Sequence, residues 1–417
     1  MKNDIAVIIL AAGKSTRMRS DLPKVLHKLC ARPMLGYVLD LVASLKPKQV
    51  AAVLGFKQEL VRKIIPKSVK IAIQRKLIGT AEAVKSGLSA LKGFKGTVLV
   101  LYGDAPLLKK ETLKKLLDYH IKNDADATLL TAQLNKPAGY GRVIRDKYFS
   151  ICGIVEEKDT DEVEKDIKEI NTGIVAFKKE SLENNLKYIR PNNRKKEYYL
   201  TDIIGILAKK GCLVEAVKAE EAQEALGINT GVELSGANFI MQKRINEKFM
   251  QEGVTIVDPA TAFISFGTKI GQGTVIYPFT VIERDVKIGK RCSVGPFAHL
   301  RESVRLGNEV TAGNFIEMVR ARIGAKTFVK HFSYIGDSTL GASVNIGAGT
   351  VTANFDGLKK NYTIIKDKVN IGSDTVIVAP ARIGRSATTG AGSVVTKNVP
   401  DNTVVAGVPA RTLRKKR

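Results

Sequence analysis

Residues 264–300 of the chain read ISFGTKIGQGTVIYPFTVIERDVKIGKRCSVGPFAHL, and an aliphatic side chain returns at every sixth position. From residue 264 to residue 318 the register is kept by Ile264, Ile270, Ile276, Ile282, Ile288, Val294, Leu300, Leu306, Ala312 and Met318. Glycine follows the aliphatic residue in several hexads, as at Gly271 and Gly289. A period of six predicts one short strand and one turn per hexad, with three hexads to a coil. The sequence therefore predicts a C-terminal parallel β-helix of triangular section.

The hexad register later shifts twice and is then interrupted. It continues at Ile323, Val329 and Ile335, then at Leu340, Ile346 and Thr352, and it resumes at Ile365, Ile371, Ile377, Ile383, Thr389 and Val395. Residues 353–362 fit no hexad. We expect a loop there that projects from the coils, where repeat proteins often place a binding face.

The N-terminal half follows a different pattern, in which short apolar runs alternate with longer amphipathic stretches. We predict strands at residues 5–10, 50–54, 70–73, 97–102 and 127–131, and helices at residues 33–45, 58–65, 81–91 and 109–122. This alternation predicts a Rossmann-like α/β domain, whose mainly parallel sheet has helices on both faces and binds ligands at the carboxyl ends of its strands. We place this domain at residues 1–230, a connecting helix at 231–253 and the β-helix at 254–417.

The chain of 417 residues is strongly basic, since 67 Lys and Arg against 41 Asp and Glu give a net charge of +26. Such an excess favours nucleic acid, an anionic membrane surface or polyanionic small substrates as partners. Tryptophan is absent, and the basic residues are scattered except at Arg411, Arg414, Lys415, Lys416 and Arg417, so we favour small polyanions over nucleic acid. No apolar run approaches the roughly 18 residues of a membrane-spanning helix, and we expect no integral membrane association.

The cysteines and the N-terminus indicate the compartment. Cys30, Cys152, Cys212 and Cys292 lie far apart with no CxxC pair, which argues against a zinc site and a disulfide framework and fits a reducing cytosol. The apolar stretch 5–12 follows Asp4 and suits a buried first strand better than a signal peptide. We predict a cytoplasmic protein.

The first predicted strand ends in the loop LAAGKSTRM at residues 10–18. A Walker P-loop would need glycine five positions before Gly13, where the chain has Ile8, so that interpretation fails. The loop instead suits backbone N–H groups that approach phosphates, with added charge from Lys14 and Arg17. A simple tight turn between strand and helix remains the alternative.

Further motifs follow this loop in order. They are Leu22-Pro23-Lys24-Val25-Leu26, Gln74, Gly79-Thr80, Leu101-Tyr102-Gly103-Asp104, Gly139-Tyr140-Gly141-Arg142, Val155-Glu156, Asn171-Thr172-Gly173 and Glu197-Tyr198-Tyr199-Leu200-Thr201-Asp202. Together they resemble sugar-1-phosphate nucleotidyltransferases, and over nearly the whole chain they resemble the bifunctional N-acetylglucosamine-1-phosphate uridylyltransferase / glucosamine-1-phosphate N-acetyltransferase family. The resemblance implies a left-handed β-helix and synthesis of UDP-N-acetylglucosamine, a peptidoglycan precursor. Acetyl-CoA and UTP would be co-substrates, and uridylyl transfer would depend on Mg²⁺.

The resemblance also implies roles for residues of the N-terminal domain. Nucleotidyl transfer joins two anions and requires charge neutralisation and positioning more than a protein nucleophile. Asp104 and Asn229 would bind Mg²⁺, although a lone Asp at a strand end more often caps a turn. Lys24 and Arg17 would hold phosphates and stabilise the transition state. The other substrate contacts would be Ala11, Ala12, Gly13, Gln74, Gly79 and Thr80 for uracil and ribose, Tyr102 and Gly103 beside them, and Gly141, Glu156, Asn171 and Thr201 for the N-acetylated sugar.

For the β-helix, the resemblance implies that His331 is the general base. Acetylation of an amino sugar requires removal of a proton from its ammonium, which suits a group that titrates near neutrality. A histidine on a β-helix is otherwise more often a structural hydrogen-bonding residue. The matching substrate residues are Arg301, Tyr334 and Asn345, and those for acetyl-CoA are Asn354, Phe355, Ser373 and Ala391. A homotrimer is implied, because the acetyl site of the family lies between neighbouring β-helices.

The chain departs from the family at several positions. Val319 stands where the family usually has lysine, and Phe355 stands where it commonly has tyrosine. An arginine that the family usually has near its C-terminus has no match in this chain. We expect Arg301 and Lys330 to supply the charge lost at position 319. Arg320 is less suitable, because neighbouring strand residues point to opposite faces.

Two other functions compete with this interpretation. The β-helix of a sugar-1-phosphate nucleotidyltransferase could serve only assembly or regulation, but the presence of both His331 and Asn345 argues against that. A non-catalytic subunit of the translation-factor exchange type would have lost Lys24, Asp104 and Asn229, and all three are present.

Overall fold

The computed structural model describes residues 4–14 and 16–416 and divides the chain into two compact units, Met1–Ala237 and Asn238–Arg417. The strands of the first unit are β1 Ile5–Ala11, β2 Lys28–Leu29, β3 Arg32–Pro33, β4 Gln49–Leu54, β5 Lys70–Ile73, β6 Thr97–Tyr102, β7 Ala127–Gln133, β8 Arg142–Arg145, β9 Ile151–Val155, β10 Glu169–Lys178 and β11 Val214–Lys218. Its helices are α1 Met34–Ser44, α2 Gln58–Arg62, α3 Thr80–Ala90, α4 Lys110–Lys122, α5 Glu162–Lys165, α6 Lys179–Leu186 and α7 Asp202–Lys209. Helix α8, Gly231–Gln251, contains the division between the units.

The main sheet of the first unit has the order β11-β7-β10-β6-β1-β4-β5, and only β10 runs antiparallel to its neighbours on this path. Alternate residues of β1 enter two separate cores, since Ala6 and Ile8 pack on one face and Val7 and Ile9 on the other. Helices therefore cover both faces, and the predicted α/β class is confirmed.

One predicted helix is shorter than expected. Helix α2 ends at Arg62, whereas the apolar spacing predicted a helix to residue 65. Ile64 and Ile65 instead form i→i−3 backbone hydrogen bonds, which tighten the last turn. Pro66 follows directly, and a residue before proline is disfavoured in the helical region.

The second unit is the parallel β-helix that the hexads predict. Its strands are β12 Thr255–Ile256, β13 Phe263–Ile264, β14 Lys269–Ile270, β15 Val275–Ile276, β16 Val281–Ile282, β17 Lys287–Ile288, β18 Ser293–Val294, β19 His299–Leu300, β20 Arg305–Leu306, β21 Thr311–Ala312, β22 Ile316–Ile323, β23 Phe328–Val329, β24 Ser333–Leu340, β25 Asn345–Ile346, β26 Val351–Ala353, β27 Thr363–Ile365, β28 Asn370–Ile371, β29 Val376–Val378, β30 Ala381–Ile383, β31 Thr388–Thr389, β32 Val394–Val395, β33 Thr403–Ala406 and β34 Arg411–Lys415. Phe263 pairs with Val281, eighteen residues further on, so three hexads make one coil.

The register residues form the core of the β-helix. Ile264, Ile276 and Ile335 are fully buried within one continuous cluster. A Cβ atom added to Gly289 would lie 2.5 Å from the carbonyl oxygen of Gly307 in the next coil. The predicted periodicity is confirmed.

Two features of the β-helix differ from the simple repeat. It begins at β12, before the first predicted hexad, because Ile256 and Ile264 are eight residues apart and the period is invisible there. Across the interruption, Asn345 pairs with Asn370, twenty-five residues on, and the added residues form the expected exposed loop.

The basic C-terminal segment forms β34, antiparallel to β33. No helix of the described residues is long and apolar enough to cross a membrane.

Candidate active sites

A cavity of about 570 Å³ opens at the carboxyl ends of the strands in the first unit. The predicted residues that line it are Ala11, Ala12, Gly13, Lys14, Arg17, Lys24, Gln74, Gly79, Thr80, Tyr102, Asp104, Glu156 and Asn229. Gly103, Gly141, Asn171 and Thr201 lie outside this lining. Three of these four are nevertheless tied to it, because Thr201 Oγ1 donates to Glu156 Oε1 (2.9 Å) and the N–H of Asn171 donates to the carbonyl of Gly141 (2.8 Å), next to Glu156.

Backbone contacts fix one wall of the cavity. Gln74 is buried, and its Nε2 donates to the carbonyl oxygen of Gly79 (2.9 Å). Gly79 has φ +133°, and an added Cβ would lie 2.3 Å from the carbonyl oxygen of Tyr198. The N–H of Leu200 donates to Thr80 Oγ1 (2.8 Å). A glycine is required at position 79, and the wall is held from both sides.

Asp104 and Asn229 meet at one end of the cavity. Asp104 follows β6 and is buried, and its carbonyl accepts the N–H of Ile228 (2.9 Å). The side-chain Nδ2 of Asn229 donates to the carbonyl of Gly227 (3.1 Å), which orients the amide and its Oδ1. Two hard oxygen ligands from distant parts of the chain thus lie near each other.

Lys24 lies between these two oxygen atoms. Its Nζ forms an ion pair with Asp104 Oδ2 and donates to Asn229 Oδ1 (2.7 Å). A positive charge therefore occupies the position that a bound metal ion would take. Carboxylate and amide oxygens suit Mg²⁺, with substrate phosphates and water as further ligands, so the residues fit that ion. Within residues 4–14 and 16–416, no group of three or more His, Cys, Asp or Glu side chains forms a separate metal site.

Carboxylates and tyrosines form another part of the cavity and the layer behind it. Burial raises the pKa of Glu156, and the hydrogen bond from Thr201 opposes that rise. Burial, with the charges of Glu156 and Asp159, raises the pKa of Asp202 to about 6. The ring of Tyr102 packs so closely on Gly173 that an added Cβ would lie 2.4 Å from it. This part of the cavity offers polar acceptors to a neutral hydroxylated group.

Sequence reasoning assigned no role to three residues that line this cavity, Lys195, Glu197 and Tyr199. The signal was present in the motif at residues 197–202, where Glu197 and Tyr199 face this cavity and Tyr198 lines another. Alternation of side chains along an extended segment places every second residue on one side.

In the β-helix, His331 lies exposed in the turn between β23 and β24, and its carbonyl accepts a hydrogen bond from Ser333 Oγ (2.8 Å). Backbone hydrogen bonds continue this corner from coil to coil, from Gly349 to Phe332, from Asp374 to Ala348 and from Gly392 to Ser373. The corner therefore aligns His331 with the exposed residues Ser373 and Ala391.

A polar cluster surrounds Tyr334 on a neighbouring face. Asp337 is buried, Arg320 donates to both of its carboxylate oxygens (2.6 and 2.8 Å), and Asn354 Nδ2 donates to the same carboxylate. Asn354 Nδ2 also lies 3.4 Å from the Tyr334 hydroxyl. The hydrogen bonds from Arg320 lower the pKa of Asp337. Arg301 belongs to the same region and donates to Glu317 (2.7 Å).

Val319, which stands where the family usually has lysine, and the basic residues near it differ in burial and in their contacts. Val319 is buried, whereas Arg320 is partly exposed and held by Asp337. Lys330 Nζ lies 5.0 Å from the centre of the Phe328 ring, on the face that carries β23. Lys360 adds positive charge near Asp337. The sequence analysis did not single it out, although it belongs to the segment 353–362 that interrupts the hexads and was expected to form a binding loop.

Two predicted residues lie apart from the Tyr334 cluster in a single chain. Asn345 is on β25, in a different sheet from β24, and its Nδ2 donates to Asn370 Oδ1 (2.8 Å). Phe355 is exposed in the projecting loop. One chain thus carries the predicted acetyl-site residues on more than one face of the β-helix.

The sequence matches two families. Residues 7–155 match the MobA-like NTP transferase domain, and residues 267–302 match the bacterial transferase hexapeptide repeat. The protein named "Bifunctional protein GlmU" from Thermosipho africanus (strain TCF52B) is 44% identical over 96% of this chain and 94% of its own length. Proteins of the same name from Pelotomaculum thermopropionicum and Geobacillus sp. (strain WCH70) are 45% and 40% identical over at least 90% of each chain. The chain therefore belongs to the GlmU family of bifunctional enzymes, which acetylate glucosamine-1-phosphate and uridylylate the product to UDP-N-acetylglucosamine.

Proposed function

We propose that the cavity of the first unit is the uridylyltransferase site and that the β-helix carries the acetyltransferase site. We assign the first activity to residues 1–230 and the second to residues 254–417, with residues 231–253 as the connection. The observation that carries the proposal is the convergence of Asp104 and Asn229 on one cation position at the carboxyl end of the sheet.

For uridylyl transfer, a phosphate oxygen of N-acetylglucosamine-1-phosphate attacks the α-phosphorus of UTP, and the bond to pyrophosphate breaks. Mg²⁺ held by Asp104 and Asn229 would neutralise phosphate charge. Lys24 and Arg17 bind phosphate oxygens and stabilise the charge that develops during transfer. Gln74 and the loop at Gly79 hold the base, because buried amide and backbone groups converge there.

The sugar is bound in the part of the same cavity that contains Glu156. The Glu156 carboxylate accepts a hydrogen bond from a sugar hydroxyl and is oriented by Thr201. Gly141 and Asn171 supply backbone and amide groups beside it. This arrangement separates the phosphate-binding cations from the sugar-binding acceptors, which aligns the attacking oxygen with the α-phosphorus.

For acetyl transfer, His331 removes a proton from the ammonium of glucosamine-1-phosphate. The amine then attacks the thioester carbonyl of acetyl-CoA, a C–N bond forms and the C–S bond breaks. His331 passes its proton to the departing thiolate, and the second proton that the amine loses as it becomes an amide is released to solvent. Arg301, Tyr334 and Asn345 bind the amino-sugar phosphate. Acetyl-CoA is contacted by Asn354 and Phe355 and, along the corner that they share with His331, by Ser373 and Ala391. We retain Arg301 and Lys330 as the phosphate-binding cations in place of a lysine at position 319.

We further propose a homotrimer formed by the β-helices. Phe279, Phe297, Phe315 and Phe332 occupy one corner of successive coils, and each is between 45% and 60% exposed. The rings of the first three stack at centroid distances of 5.0 and 5.1 Å. Contiguous exposed apolar surface of this kind marks interfaces, and this patch adjoins His331. A neighbouring chain there would bring its Asn345 to the acetyl site.

We propose that the protein acts in the cytoplasm, because its proposed substrates UTP and acetyl-CoA are cytoplasmic metabolites. Product analysis tests the function: the purified protein is incubated with acetyl-CoA, UTP, Mg²⁺ and glucosamine-1-phosphate, together and with each omitted. We expect UDP-N-acetylglucosamine only from the full mixture, and N-acetylglucosamine-1-phosphate when UTP is omitted. UDP-glucosamine as the main product would contradict the proposed order.

A further inference from the structure

Lys24 contacts the same two oxygen atoms that the proposed function gives to Mg²⁺. Its Nζ pairs with Asp104 Oδ2 and lies 2.7 Å from Asn229 Oδ1. The Lys24 side chain is only 18% exposed and that of Asp104 only 9%, so both groups are withdrawn from water. The contact is therefore an enclosed ion pair rather than a transient surface contact.

The backbone segments that carry Asp104 and Asn229 are held by contacts of their own. The carbonyl of Asp104 accepts the N–H of Ile228, and the carboxylate of Glu233 accepts the N–H groups of Asn229 and Thr230 (3.1 Å for Thr230). The Asn229 amide is held by Gly227, as described above. These contacts do not involve Lys24, so they persist when the lysine moves.

Lys24 itself has room to move. Its backbone belongs to the short 3₁₀ helix Lys24–Leu26, which the buried side chain of Val25 anchors. The ammonium is carried on a flexible four-carbon chain, and the cavity beyond it is open. The long lysine side chain is thus the most movable member of the group, whereas Asp104 and Asn229 have short side chains on backbone that is held in place.

We propose that the Lys24 ammonium is an internal placeholder for the divalent cation, an inference that rests on the proposed uridylyltransferase site. An ammonium group and a divalent cation that lie about 4 Å or less apart repel each other strongly. Entry of the metal therefore displaces Lys24 from Asp104 and Asn229. The phosphates of UTP, which arrive with the metal, give the ammonium its new partner.

The placeholder makes metal binding depend on the nucleotide. Without UTP, the metal must compete with Lys24, and its apparent dissociation constant equals the intrinsic constant divided by the fraction of time that the oxygens are unoccupied. If Lys24 occupies them for roughly nine-tenths of the time, the apparent affinity falls about tenfold. With UTP, the competition is removed, because the ammonium binds phosphate. The site therefore selects the metal–nucleotide complex over the free ion.

The test is Mn²⁺ binding to the full-length protein without nucleotide, measured from the electron paramagnetic resonance signal of free Mn²⁺. Lys24→Met should bind Mn²⁺ about tenfold more tightly than the wild type. This difference should disappear when UTP is added, once the Mn²⁺ that UTP binds in a protein-free sample has been subtracted. Lys195→Met is the matched control, since Lys195 lines the same cavity and its loss removes the same charge. The control should change the Mn²⁺ dissociation constant less than threefold. Thermal unfolding of each variant checks that it is folded.

The outcomes separate this inference from the proposed function. Equal Mn²⁺ affinity of Lys24→Met and wild type would overturn the placeholder alone. An equal gain in Lys195→Met would also overturn it, because general charge would then explain the effect. If neither the wild type nor Lys24→Met binds Mn²⁺ even with UTP, the metal assignment of the proposed function is overturned, and the placeholder with it.

Discussion

Gly79→Ala should disable uridylyl transfer while leaving acetyl transfer intact. The added Cβ would lie 2.3 Å from the carbonyl oxygen of Tyr198, and the closest comfortable C···O contacts are about 3.3 Å. The wall formed by Gly79 and Tyr198 must therefore open by about 1 Å. A displacement of that size in a positioning element costs on the order of 10²-fold in rate.

The assay measures kcat/KM for UTP with N-acetylglucosamine-1-phosphate, together with the melting temperature and the acetylation rate. Gly93→Ala is the matched control, because Gly93 also has positive φ (+76°) but an added Cβ would meet nothing within 4 Å. Gly93→Ala should lose about 1–2 kcal/mol of stability from its left-handed backbone. Gly79→Ala should lose more, because φ +133° with ψ 171° is a region that only glycine enters readily and the added Cβ clashes, and it alone should lose uridylyl transfer. A kcat/KM for UTP within threefold of wild type in Gly79→Ala would refute the role of this wall.

Four further predictions follow from the two sites. Asp104→Ala should lower uridylyl transfer by on the order of 10²-fold or more through lost charge stabilisation, while acetyl transfer in a folded sample stays unchanged. His331→Ala should lower acetyl transfer by roughly 10²–10⁴-fold, and a rate within threefold of wild type would remove it from the mechanism. Lys330→Ala should raise KM for glucosamine-1-phosphate, whereas Arg320→Ala should mainly lower the melting temperature, and the reverse result would make Arg320 the phosphate ligand. Asp202 has a pKa of about 6, above its ordinary value of 3.8, so the folded state loses stability as pH rises from about 4 to 6. Asp202→Asn should therefore raise the melting temperature more at pH 7.5 than at pH 4, and equal gains at both would contradict this.

The β-helix was predictable from the sequence because each hexad buries one residue against its neighbours in the coils above and below. The same local rule explains why β12, which lies within the predicted bounds of the β-helix, could not be identified from the repeat itself. The eight-residue spacing between Ile256 and Ile264 breaks the period, although both side chains are buried. Pairing of β12 with β15 is a contact between coils, which a repeat count along the chain does not detect.

The nucleotide site was predictable only in part. The carboxyl-end loops follow from the strand–helix alternation, and Asp104 lies where that alternation places chemistry. Asn229 and Lys24 are 205 residues apart in sequence, and only the family resemblance associated them. Their direct contact, with Lys24 between the two oxygens, depends on side-chain geometry that no spacing along the chain encodes.

The acetyl site was predictable to a different degree. Alternation along β22 correctly separated buried Val319 from partly exposed Arg320. The partner of Arg320 was not predicted, because Asp337 lies on the next coil and meets it through a corner at which both residues have positive φ. That ion pair is the physical reason to expect Arg320 to support structure rather than bind phosphate.

The central claim is that two independent sites on one chain act in sequence through a released intermediate. The most direct test mixes purified Asp104→Ala with purified His331→Ala in the presence of acetyl-CoA, UTP, Mg²⁺ and glucosamine-1-phosphate. Each variant alone should form little UDP-N-acetylglucosamine, and the mixture should form it readily, because N-acetylglucosamine-1-phosphate made by the first is used by the second. No product from the mixture, when each folded variant retains its own remaining activity, would contradict the account.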